Sequence, residues 1–148
     1  MAGIMALEAL LLAGRLDEAE AMIDAPGVSR EFGSVTRATH GLMVGLHHLL
    51  SGRWGDAAAT LEESAAAADR VSARPSGVAA RAALAEALTR SGEGEKALQL
   101  LADLPSPLPG GLAGLLVDRA RAVTGDESAA AALAADCERL AAPGLVLD

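Results

Sequence analysis

A short turn that recurs four times constrains this chain more than any other feature. The segments are Leu11-Leu-Ala-Gly-Arg-Leu-Asp-Glu-Ala19, Leu49-Leu-Ser-Gly-Arg-Trp-Gly-Asp-Ala57, Thr89-Arg-Ser-Gly-Glu-Gly-Glu-Lys-Ala97 and Ala122-Val-Thr-Gly-Asp-Glu-Ser-Ala-Ala130. In each, a glycine is followed five residues later by alanine. The glycines, Gly14, Gly52, Gly92 and Gly125, lie 38, 40 and 33 residues apart. Self-similarity at such a period is the mark of a repeat architecture, in which each unit buries its apolar face against the next.

The same physics reads through every unit. An apolar stretch runs into the glycine, which accepts the left-handed conformation that ends a helix. Acidic residues follow, at Asp17 and Glu18, Asp56, Glu93 and Glu95, and Asp126 and Glu127. They suit the positive end of a new helix. The alanine falls in the first turns of that helix, where a small side chain lets two antiparallel helices pack closely. Asp126 is placed to cap the last helix.

This pattern predicts helices over 2–13, 16–24, 33–51, 54–73, 77–91, 94–103, 111–124 and 127–142. Pro26-Gly27, Arg74-Pro75-Ser76-Gly77 and Pro105-Ser-Pro-Leu-Pro-Gly-Gly111 read as breaks between units. The expected fold is all-α: an α-solenoid of four antiparallel hairpins in one domain over 1–148, with hairpins at about 1–26, 30–74, 76–105 and 110–143. Composition agrees. The chain has 148 residues, 51% hydrophobic and only 1% aromatic, and alanine is its commonest residue. A β-sandwich would want aromatic and β-branched strands, and a disordered chain would be less apolar.

The Gly-x-x-x-x-Ala turn between amphipathic helices resembles that of the tetratricopeptide repeat. Gly14-Arg-Leu-Asp-Glu-Ala19 and Gly52-Arg-Trp-Gly-Asp-Ala57 carry the likeness best. Seven residues before the turn glycine that family has a small residue; Gly45 and Ala85 fit, whereas Leu7 and Asp118 do not. The family's aromatic packing positions are mostly Leu, His or Ala here, its closing proline is shifted, and its usual unit is shorter. The resemblance is thus to a degenerate array covering nearly the whole chain. The Ala/Leu/Arg-rich style, with Leu-x-x-Gly-Arg-x-x-Glu-Ala turns, also resembles the helical-repeat region of LuxR-type multidomain transcriptional regulators of actinobacterial type. The ending Cys137-Glu-Arg-Leu-Ala-Ala-Pro-Gly-Leu-Val resembles the last repeat of such a region. That resemblance implies a sensor or scaffold rather than the DNA-binding part.

Charge and chemistry narrow the function by exclusion. The formal net charge is −8, from 12 basic and 20 acidic residues. That argues against a nucleic-acid binder, which needs a basic face. The arginines are scattered, and Lys96 is the one lysine. No apolar run approaches a membrane span, and the first fifteen residues lack the basic start of a signal peptide. A single cysteine, Cys137, leaves no internal disulfide. The expected location is the cytoplasm.

No motif suggests catalysis, a metal or a cofactor. His40 and His47 are seven residues apart, not the three or four of a helical metal pair; with His48 they read as packing or interface histidines. Ser91-Gly-Glu-Gly-Glu-Lys96 lacks the spacing of a phosphate loop, and its glutamates would repel phosphate. Cys137 has no histidine near it in sequence and reads as a small buried hydrophobe. Glu62 and Glu63 are adjacent and point apart. Gly41-x-x-x-Gly45 reads as close packing inside a repeat, with the approach of a neighbouring helix or second subunit as the alternative, and Trp54 as a core residue in the slot that Leu16 fills in the first unit.

In tetratricopeptide-like arrays the first helix of each pair lines a concave groove. By register, partner-binding candidates are Ile4, Glu8, Leu11, Leu42, Leu46, Leu49, Glu86 and Arg119, with Ala82, Thr89 and Leu115 beside them. This surface is apolar with a few charges and lacks the basic set that clamps a peptide's terminal carboxylate. The expected function is a non-catalytic protein–protein interaction or scaffold module, part of a bacterial transcriptional regulator. The alternative is a sensing domain that holds an apolar small molecule or peptide between repeats. Neither end offers an evident polar capping helix. The sequence therefore reads as a piece of a longer chain that meets neighbouring domains, or as an oligomer, such as a homodimer, that buries its ends.

Overall fold

The computed structural model describes residues 2–25, 34–105, 111–131 and 134, and every regular element among them is helical. The helices are α1 (Ala2–Leu12), α2 (Leu16–Ile23), α3 (Ser34–Leu50), α4 (Trp54–Arg70), α5 (Arg74–Arg90), α6 (Gly94–Ala102) and α7 (Leu112–Val123). Residues 127–131 are helical again. The fold is the expected helical-repeat class. The remainder of the last predicted helix, with Cys137 and the chain's final segment, lies outside the described residues, as do Pro26-Gly27 and most of the proline-rich break after Pro105.

Helices pack as neighbouring pairs: α1 on α2, α3 on α4, and α5 on α6. The odd-numbered helices also touch in sequence, α1 on α3, α3 on α5 and α5 on α7, so they form a continuous layer. The even-numbered helices α2 and α4 close the back of the next unit by packing on α3 and α5.

The turn explains this regularity. At Gly14, Gly52, Gly92 and Gly125 φ is +69°, +75°, +86° and +101°. In each case the next N–H reaches back to the carbonyl five residues before it: Arg15 to Leu10, Arg53 to His48, Glu93 to Leu88 and Asp126 to Arg121. This is the left-handed helix stop that glycine permits. Ala19, Ala57 and Ala97 are then fully buried. The fourth turn differs: Ala129 is buried and Ala130 exposed. It also has the one side-chain cap, with Asp126 Oδ1 accepting from the Ser128 and Ala129 N–H groups at 3.0 and 3.1 Å.

A fifth turn of the same kind escaped the sequence reading because it has no glycine. Ser72 adopts φ +54° between α4 and α5, and Ala73 N–H reaches back to Ala68 O at 2.9 Å. Helix α4 therefore stops at Arg70, and α5 begins at Arg74, three residues before the predicted start. Pro75, read as a breaker, sits in the first turn of α5, where a missing N–H costs no hydrogen bond.

Small residues let the helices close. A Cβ on Gly45 would stand 2.5 Å from Leu61 Cγ, and one on Gly41 would stand 3.3 Å from Ser64 Cβ. Both glycines thus face α4, with Ser64 donating to Ala38 O at 2.8 Å across the same contact. Helix α5 is the most buried element, enclosing Val78, Ala79, Ala80, Ala82, Ala83, Leu84, Ala85 and Ala87. Full burial of leucines such as Leu7, Leu42 and Leu61 contributes about 2 kcal/mol each. Trp54 is a correction: it is 40% exposed and stands outside the core.

Candidate functional groove

The layer of odd-numbered helices carries a concave apolar site. Helices α1, α3 and α7 enclose a cavity of about 320 Å³. Its wall takes Glu8, Leu11 and Leu12 from α1, then Gly14 and Leu16 from the turn and α2. Helix α3 adds Met43, Leu46, Leu49 and Leu50, and α7 adds Leu112, Leu115, Leu116 and Arg119. Leucines at helical spacing produce this wall, because residues three and four apart share a helix face.

Five of the eight residues predicted to bind a partner come together here: Glu8, Leu11, Leu46, Leu49 and Arg119. Leu42 lines an adjoining cavity of about 200 Å³ with Glu8, Thr39, Met43, Ser76 and Leu112. Ile4 is buried and lines neither space. Glu86 is a clear departure from the expected groove surface. Its carboxylate is 1% exposed, because it is spent inside the protein on Arg90 and Arg119. Ala82 is likewise buried, and the Thr89 hydroxyl donates to Ala85 O.

Met43, Leu50, Leu112 and Leu116 line the cavity although the sequence reading did not select them. The doubled leucine at Leu49-Leu50 carried the signal: two adjacent apolar residues widen a helix stripe beyond a single line of positions. Three large apolar side chains on the wall remain accessible, Leu12 at 62%, Leu115 at 40% and Leu50 at 36%.

Two of the three histidines have structural explanations close to this wall. His47 is buried; its Nε2 donates to Leu16 O at 3.2 Å and its Nδ1 accepts from Arg53 Nη2 at 3.1 Å. That assignment follows because guanidinium can only donate. His48 is held below its ordinary pKa, first by burial and then by the positive charge of Arg53, with Asp56 opposing. Among the described residues, no three His, Cys, Asp or Glu side chains gather as a metal site requires.

A further space of about 380 Å³ lies between α6 and the turn after α7, lined by Leu98, Leu101, Arg121 and Asp126. It is broadly open to solvent and less apolar than the leucine cavity.

The stacked hairpins define a helical-repeat protein of the solenoid class. Residues 48–116 match the family model of the tetratricopeptide repeat. The matched span begins near the end of α3, takes in α4, α5 and α6, and stops within α7. It is just under half of the chain, and together with the fold it supports a tetratricopeptide-like repeat protein. No curated protein and no solved structure matches the chain. Repeats of this kind generally mediate protein–protein interaction and are typically non-catalytic. No described helix is long and apolar enough to cross a membrane.

Proposed function

We propose that the chain is a non-catalytic protein–protein interaction module whose binding face is the groove of α1, α3 and α7. The observation that carries this is the accessible leucine rim, Leu12, Leu50 and Leu115, around an apolar hollow. Exposed apolar surface gathered about a concavity is where a partner's side chains gain most on burial. The occupant is a protein partner or a neighbouring domain of a longer chain. The Ala/Leu/Arg-rich turns, similar to those of LuxR-type regulators, favour the repeat region of a bacterial transcriptional regulator as the setting.

The test is quantitative recovery of interacting proteins from cells that make this chain. Leu12→Asp with Leu115→Asp places charge on the rim without touching buried leucines. It abolishes recovery of a specific partner and leaves the circular dichroism unchanged. Leu98→Asp, on α6, leaves recovery intact. Equal recovery by all three proteins contradicts the reading.

A second reading rests on the hollow itself. Its volume falls within the range of small-molecule sites, and its wall is mostly leucine with two charged groups. A ligand-sensing domain would use that space for an apolar molecule.

A further inference from the structure

Glu8 stands where two cavities meet. It lines both the leucine cavity of about 320 Å³ and the adjoining one of about 200 Å³, as do Met43 and Leu112. The smaller space is the more polar, with the Thr39 and Ser76 hydroxyls 3.2 Å apart in its wall. Glu8 is half-buried, and its carboxylate has no hydrogen bond or ion pair among the described residues.

The other charged group in the wall is already engaged. Arg119 directs Nε and Nη2 at the buried Glu86 carboxylate, at 2.6 and 3.0 Å. The two charges therefore differ in what they can offer a ligand. Arg119 has two of its five N–H donors committed to Glu86, whereas Glu8 retains all of its acceptor capacity.

We propose that the leucine cavity binds a small amphiphilic cation, with its apolar body among the leucines and its ammonium on Glu8. The proposal rests on the ligand-sensing reading above. A neutral apolar ligand would strip water from Glu8 and return nothing, which is costly for a carboxylate. An amphiphilic anion would meet repulsion from Glu8, and the Arg119 charge that could offset it is already directed at the buried Glu86 carboxylate. A compact ammonium ligand fills the cavity and satisfies the carboxylate together.

The experiment is calorimetric titration of the full chain with octylammonium, octanoate and octanol, for the natural sequence and for Glu8→Gln. Octylammonium should bind about tenfold more tightly than octanoate, and Glu8→Gln should reduce that preference to less than about twofold. If Glu8→Gln fails to fold, the order of affinities in the natural sequence decides alone. Equal binding of all three probes, unaffected by Glu8→Gln, overturns the proposal and leaves an apolar ligand site standing. Binding by none overturns both. Binding of a lysine-faced amphipathic peptide, with none of octylammonium, also overturns the proposal.

Discussion

Arg119 on α7 grips Glu86 on α5 through two hydrogen bonds, Nε to Oε2 at 2.6 Å and Nη2 to Oε1 at 3.0 Å. Arg90 adds a third, from Nε to Oε1 at 2.8 Å. The carboxylate is buried while both arginines stay more than a third exposed. The contact joins α5 to α7, neighbours in the layer of odd-numbered helices. Arg119→Ala leaves a buried carboxylate with one arginine instead of two. The expected cost is about 2 kcal/mol, the range for hydrogen bonds to charged groups. Urea unfolding measures it; a loss below about 0.5 kcal/mol would show that the pair behaves as a surface ion pair.

Gly45 is fixed by the helix it faces. A Cβ there meets Leu61 Cγ and Cδ2 at 2.5 Å, and Leu61 is fully buried. Gly45→Ala should destabilise the protein by about 1–3 kcal/mol through overpacking, despite alanine's better helix propensity. Gly41→Ala meets Ser64 Cβ at 3.3 Å and should cost much less. Thermal unfolding of the two variants side by side checks the order.

The non-glycine turn offers the opposite sign. Ser72 holds φ +54°, a conformation that disfavours residues with a Cβ. Ser72→Gly should stabilise the chain by about 0.5 kcal/mol. Gly52→Ala, at φ +75° with nothing crowding its Cβ position, should cost about 1 kcal/mol from backbone strain alone. Equal and opposite shifts in the urea midpoint are not required, only opposite signs.

Stability should fall in mild acid. Burial holds His40 below its ordinary value of 6.5, and burial followed by Arg53 does the same for His48. Near and below that value the unfolded chain binds more protons than the folded one. Stability is therefore fully present above about pH 6.5 and is lost as pH falls through the folded values. The melting temperature should be lower at pH 5.5 than at pH 7.5, and His48→Gln should flatten the slope. Asp126 adds a separate window at lower pH. Hydrogen bonds from the Ala129 N–H, the Ser128 hydroxyl and the Ser128 N–H hold its carboxyl below 3.8, so its contribution is lost only as pH falls below that value.

The repeat was legible because glycine marks the left-handed residue and alanine the close contact that follows it. Gly14, Gly52 and Gly92 placed three turns in this way, and Asp126 announced the cap of the fourth. Ser72 was illegible for the same reason: the conformation recurs, but the residue that signals it does not. Pro75 misled because a proline that breaks a helix and one that begins it look alike until the preceding turn is seen. At the groove, spacing identified Leu11, Leu46 and Leu49 as sharing a wall. It could not show that Glu86 points into the protein, because that depends on Arg119, which lies 33 residues away in sequence and meets it only through folding. Nor could it reveal the width of the wall, which depends on how α7 approaches α1 and α3.

The most direct test of the groove as the binding face is position-specific photocrosslinking in cells that make the protein. A photoreactive residue would replace Leu12 or Leu115 on the rim, or Leu98 on α6. The account predicts a discrete crosslinked protein from Leu12 and Leu115, lost when Leu50→Asp is added, and none from Leu98. The same crosslinked protein from Leu98, with none from the rim, would contradict it.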